Sequence, residues 1–127
     1  MRKITQFDTS QLLDILNLRA QKELSKTDAQ LASAFFFQFF KRVPQEDLRG
    51  ENSDDFYELA IAHLDSARQK KHGQVQVRAY NPVNPSETSG SAFTIVEVTS
   101  DDMAFLVDSV QMALNRLGYT IHLTIHP

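Results

Sequence analysis

"SAFTIVEVTSDDMAFLVDSVQMALNRLGYTIHLTIHP", Ser91–Pro127, decides the fold. Its first eight residues are apolar on both faces, Phe93 and Ile95 against Val96 and Val98, as a central strand requires. Met103, Leu106, Val107, Val110, Leu114 and Leu117 then recur at helical spacing until Gly118 stops them. In the closing segment Ile121, Leu123 and Ile125 alternate with Thr120, His122, Thr124 and His126, which reads as a second strand. A strand, a helix of about 15 residues and a strand with tight joints make a βαβ unit, with parallel strands and a right-handed crossover.

Upstream, "QVQVRAY" places Val75, Val77 and Ala79 on one face and reads as a half-buried strand. The loop "NPVNPSETSG" would let it pair antiparallel with the central strand. Before Gly73 the period is 3.6. Leu12, Leu13, Ile15, Leu16, Ala20 and Leu24 mark a helix over 11–24. A second helix over 27–42, capped by Thr27 with Gln30, is apolar round most of its circumference and should lie between two partners. "PQEDLRG" reads as a short helical turn. A third helix over 54–71, capped by Asn52 or Ser53, starts acidic and ends basic, as the macrodipole favours. Gly50, Gly73 and Gly118 each follow a helical pattern and should terminate it. The expected fold class is α+β: a helical segment over 1–72, then a ββαβ segment over 73–127 with a small three-stranded mixed sheet, packed as one unit.

The bulk numbers bound the function. A chain of 127 residues, 42% hydrophobic and 23% charged, is an ordinary globular domain. A net charge of −3 argues against a nucleic-acid partner, which needs a concentrated positive face. With no cysteine there are no disulfides, thiolate metal sites or cysteine nucleophiles, in keeping with a reducing compartment. "MRKITQFDTSQ" lacks the apolar run of about 7–15 residues that a signal peptide needs. "ASAFFFQFF" is far short of the ~20 residues that span a bilayer. The expected location is cytoplasmic, with neither membrane nor nucleic acid as partner.

Each chemical temptation has a plainer reading. His122 and His126, four residues apart on a strand, stand about 13 Å from one another, too far for one metal ion. "RQKKH", Arg68–His72, occupies a helix end, where cations offset the carbonyl dipoles. The ring cluster Phe35–Phe40 reads first as core and second as a contact with another subunit or domain. The joint "TSDDMAFLVDS" is where αβ proteins often hold ligands, because the first N–H groups of a helix point outward. Asp101 and Asp102 would repel an anion there but could hold an ammonium group; helix capping alone explains them. Asp101, Asp102, Met103, Phe105 and Asp108 are therefore the candidates for effector binding or for an interface. No constellation forms a catalytic, cofactor or metal site.

At "SDDMAFLVDSVQMALNRLGYTIHLTIHP" the chain resembles the amino-terminal region of the large NAD-specific glutamate dehydrogenases, which carry D-D-M-P-F-L-V-D-S before a helix and an L-T-I-H-L-V-I-H-P-like strand. "FKRVPQEDL" is similar to that family's F-x-x-V-P-x-E-D-L, and "VRAYNP" to its V-R-V-F-N-P. The likeness covers 39–127 well and the first helix loosely. It implies a fragment of a much longer chain whose nicotinamide site lies downstream. The parent reaction would be oxidative deamination of L-glutamate to 2-oxoglutarate with NAD, and the fragment would hold no cofactor of its own.

That region resembles ACT modules, ferredoxin-like βαββαβ units that often bind amino acids at oligomer interfaces. The present strands and helix would supply the first half, with the remainder beyond Pro127. Implied partners are the rest of the parent chain, further copies in a homo-oligomer, and an amino-acid effector. Two departures bear on this. Amino-acid-binding ACT modules usually carry glycine where Phe105 stands, and a bulky ring there would block an effector from the backbone. Ala104 replaces a common proline, a milder change. Two other readings are a self-contained amino-acid sensor using Asp101–Met103, and a small free-standing enzyme, for which no reactive constellation speaks.

Overall fold

The computed structural model describes residues 8–48, 52–81, 94–101 and 105–126. Its elements are α1 (Thr9–Glu23), α2 (Lys26–Phe40), α3 (Gln45–Leu48), α4 (Ser53–Arg68), β1 (Gln76–Tyr80), β2 (Ile95–Thr99) and α5 (Leu106–Arg116). They form two compact units, 1–61 with 105–127, and 62–104. The division expected at residue 72 differs from this, because the last turns of α4 pack with the hairpin.

In the first unit, α1 starts in a capping box. Asp8 Oδ1 accepts from the Gln11 N–H at 2.8 Å, and Gln11 Oε1 accepts from the Asp8 N–H at 3.1 Å. Leu12, Leu16 and Ala20, four residues apart, are buried on one stripe. The cap of α2 is Ser25 rather than Thr27: its extended backbone lets Oγ accept the Asp28 N–H at 3.1 Å. α2 packs on α1. Its Phe36 ring lies 5.8 Å from Tyr57, and its Phe40 ring 5.4 Å edge-on from Phe56, both on α4. The expected sandwich is present, and Phe36, Phe39 and Phe40 are core while Phe37 is exposed. Asn52 caps α4, accepting the Asp54 N–H at 2.7 Å. Arg19 on α1 spans to α4, donating to Glu58 at 2.8 Å and Asp54 at 3.3 Å and to Glu23 at 2.9 Å, over the Tyr57 ring. Burial works against the Arg19 charge, but the hydrogen bonds to Glu23 and Glu58 outweigh it and raise its pKa.

In the second unit, β1 and β2 pair antiparallel, as expected from the loop between them. The register sets Gln76, Arg78 and Tyr80 opposite Thr99, Glu97 and Ile95, and Val77 and Ala79 opposite Val98 and Val96. Cross-strand partners share a face. The Val75, Val77, Ala79 face, expected to be half buried, is the open one, with Val77 67% exposed. The polar face is turned inward because Arg78 and Glu97 satisfy each other there, against the last turns of α4.

α5 departs furthest from expectation. It runs over Leu106–Arg116, 11 residues rather than about 15, and none of its residues is buried. Phe105 sits at its N-cap in the left-handed conformation (φ 63°), which interrupts helical propagation, and its side chain makes no capping bond. The far end is as expected. Gly118 (φ 91°) donates to Asn115 O and Tyr119 to Leu114 O, both at 3.0 Å, the two bonds of a Schellman turn. Gly73 is also left-handed, and Gly50 lies outside the described residues. The closing segment is not a third strand: the sheet of the described residues has two strands, and 119–126 carry no ladder. A strand exists only by pairing, and among the described residues no ladder reaches this segment.

Candidate functional site

The closing segment keeps a strand's alternation without a sheet partner among the described residues. Ile121, Leu123 and Ile125 are half buried while His122, Thr124 and His126 are exposed. This alternation is the period of two that the sequence carries. One side-chain bond ties the segment to α5, from Gln111 Nε2 to Thr124 Oγ1 at 3.1 Å. Pro44, Asp47, Gln111 and Asn115 line an open crevice along residues 119–124. An extended segment with apolar residues on one side is a form that can accept an added strand.

The candidates at the strand–helix joint are each placed by their own surroundings. Asp101 is occupied. Oδ1 accepts from Lys70 Nζ at 2.6 Å and Oδ2 from the Gly73 N–H at 2.9 Å, with His72 Nδ1 at 3.6 Å. The Lys70 hydrogen bond, then the Gly73 amide, hold its carboxyl below the usual carboxylate range. Both carboxylate oxygens thus have a partner within the same unit, one of them supplied by "RQKKH". Phe105 is 77% exposed, so the ring at the glycine-like position points to solvent. Asp108 is exposed in the first turn of α5, where a carboxylate favours the helix dipole. Asp102 and Met103 lie outside the described residues. His122 and His126 are exposed, and no group of three or more metal-ligating side chains gathers among the described residues. Among them no helix is long and apolar enough to cross a membrane.

Sequence reasoning missed one charged cluster. Glu97, 5% exposed, is the buried acid of the hairpin. Its Oε1 accepts from Arg78 Nε at 3.0 Å and Nη2 at 2.8 Å, its Oε2 from the Tyr80 hydroxyl at 3.1 Å, and His63 Nδ1 of α4 lies 3.6 Å from Oε2. Arg78 Nη2 also donates to Ala62 O at 3.3 Å, and its guanidinium stacks over the Tyr80 ring. Burial, then the Glu97 charge, push the Tyr80 hydroxyl up to about 12. The signal was the alternation R-A-Y against V-E-V: one acid and one base, each flanked by apolar neighbours on the opposite face. The cluster is internally satisfied and pins the hairpin to the last turns of α4.

Residues 35–127 match the family model described as glutamate dehydrogenase, ACT1 domain. The chain is 36% identical over 111 residues to an NAD-specific glutamate dehydrogenase of Halomonas elongata, covering 87% of this chain and 7% of that protein. With the enzyme of the same name from Pseudomonas aeruginosa it shares 36% over 88 residues, 69% of this chain and 5% of that protein. The chain thus spans less than a tenth of the curated relatives it matches. No solved structure matches it at a significant level.

Proposed function

The chain belongs to the glutamate dehydrogenase ACT1-domain family, and on that premise we propose that it is a non-catalytic regulatory and assembly domain of a large NAD-dependent glutamate dehydrogenase. The parent enzyme would deaminate L-glutamate oxidatively to 2-oxoglutarate with NAD bound elsewhere, and this domain would hold no cofactor. The observation that carries the reading is the closing segment, which alternates in burial like a strand yet belongs to no sheet of the described residues. A strand belonging to the rest of the parent would complete a three-stranded or larger sheet, with α5 as the crossover helix. Burying Ile121, Leu123 and Ile125 in that sheet would couple this domain to the remainder of the enzyme. The occupied carboxylate of Asp101 weighs against a stand-alone amino-acid sensor at the strand–helix joint.

Two measurements test this. The 127-residue chain alone should give no glutamate-dependent reduction of NAD; turnover by it would refute the reading. In a full-length dehydrogenase carrying this domain, Leu123→Asp should impair subunit assembly or the glutamate response, with the dehydrogenase domain still folded. A variant enzyme with native assembly and native kinetics would also refute it.

A further inference from the structure

On the reading that a strand from the rest of the parent pairs with the closing segment, we propose that this strand occupies the crevice between residues 119–124 and α3, and that a lysine or arginine on it pairs with Asp47. The crevice lies within the first compact unit. Pro44 and Asp47 wall it on one side, Gln111 and Asn115, one turn apart on α5, on another, and six consecutive residues of the closing segment complete it. Those six include half-buried Ile121 and Leu123 as well as exposed Thr120, His122 and Thr124. A hollow over one face of an extended segment would touch alternate residues only. One touched by all six runs along the segment's edge, the side on which strands pair.

Size selects a strand over a helix. Six extended residues run about 20 Å, and a strand laid beside them, at ~4.8 Å spacing and ~10 Å sheet depth, takes up on the order of 1000 Å³. A helix of that length, ~10 Å across, takes up roughly 1600 Å³. The crevice is open to solvent and holds about 630 Å³. That is room for a strand's backbone and inward side chains, but for less than half of a helix.

Charge selects a side chain. Asp47 is the acid of the crevice wall, and no lysine or arginine among the described residues lines it. The Asp47 carboxylate has neither an ion pair nor a hydrogen bond among them, and exposed Glu46 adjoins it on α3. A strand laid in the crevice takes water away from that carboxylate, which opposes docking unless a cation comes with the strand. Cross-strand partners share a face, so the residues set beside Ile121 and Leu123 are apolar. The incoming segment is therefore recognisable by its chemistry: apolar residues at alternate positions, with a base where it passes Asp47.

The test uses a full-length dehydrogenase carrying this domain. p-Benzoylphenylalanine in place of Asn115 puts a photoreactive ring on the crevice wall. Mass spectrometry after irradiation should return one cross-linked peptide from outside residues 1–127, alternating in this way and holding a lysine or arginine. Asp47→Lys turns the attraction into a repulsion and should speed amide exchange at Ile121, Leu123 and Ile125 about tenfold. Asp47→Asn, which keeps the size of the side chain, should give an intermediate rate. Changing the base of the cross-linked peptide to glutamate in the Asp47→Lys enzyme should restore the protection. Protection unchanged by Asp47→Lys, or cross-links confined to residues 1–127 while those amides stay protected, overturns this placement and leaves the strand pairing standing. Fast exchange of the same amides in the unaltered enzyme overturns the pairing itself, and the placement with it.

Discussion

Removing the Glu97 carboxylate strips the hairpin of the acceptor that Arg78 and Tyr80 share, and the cost depends on what is left behind. Glu97→Leu leaves the Arg78 guanidinium without its two bonds at 3.0 and 2.8 Å and the Tyr80 hydroxyl without its bond at 3.1 Å. Hydrogen bonds to charged groups contribute about 1.5–3 kcal/mol each, and breaking a buried pair costs about 3–5 kcal/mol. The Arg78 side chain is 44% exposed, so water recovers part of its solvation and the lower figure applies, about 3 kcal/mol. Arg78→Met should cost a similar amount, about 3 kcal/mol, because it leaves the enclosed carboxylate to Tyr80 and His63. The double replacement Glu97→Leu/Arg78→Met removes both charges and leaves apolar side chains of comparable size, so it should lie within about 1 kcal/mol of the parent chain. Urea unfolding, followed by tyrosine fluorescence and circular dichroism, gives the three values of the cycle. A double variant as unstable as the two single variants combined would show that the cluster is not a coupled unit and would refute the reasoning.

The Tyr80 hydroxyl, pushed up to about 12 by burial and then by Glu97, holds its proton longer in the folded chain than the ordinary 10.0. Its contribution to stability is full below pH 10 and is lost as pH rises towards 12; ultraviolet titration should show the value falling in Glu97→Gln, though not to the ordinary one, since burial remains. Asp101 has the opposite sign. Its folded pKa is lowered below the ordinary 3.8, so the clasp on Lys70 and Gly73 is present above that value and is lost as pH falls through the lowered one. Protection of the Gly73 amide, measured against its intrinsic exchange rate at each pH, should fall over that range, and be weak at neutral pH in Asp101→Asn. Phe105→Gly relieves a left-handed backbone at a largely exposed side chain, so chemical denaturation should find the chain more stable by about 1 kcal/mol. Phe40→Ala, which empties a fully buried site between α2 and α4, should cost about 3–5 kcal/mol in the same assay.

The helical half was legible because its signals are local. The stripes of α1 and α2 and the turn at Gly118 follow from a few neighbouring residues, and the misplaced cap at Thr27 missed Ser25 by two positions. The hairpin's pairing was legible too, but not the face it turns inward. That choice rests on Arg78 meeting Glu97 nineteen positions away, and alternation alone favours the valines. For α5, the stripe correctly gave a helix but not what covers it, because amphipathicity states a need for a partner and not its identity. The same holds for Ile121, Leu123 and Ile125, whose alternation marks a strand while pairing depends on residues elsewhere. At the joint, Asp101 looked like a cap for the following helix, and it turned instead to the loop at Gly73.

The central claim is that residues 121–125 form a strand only when the rest of a larger dehydrogenase pairs with them. Amide hydrogen exchange across that segment, compared between the 127-residue chain and a full-length enzyme carrying it, tests the claim most directly. The account predicts fast exchange at Ile121, Leu123 and Ile125 in the short chain and strong protection of alternate amides or the whole segment in the long one. Strong protection already present in the short chain, or equally fast exchange in both, would contradict it.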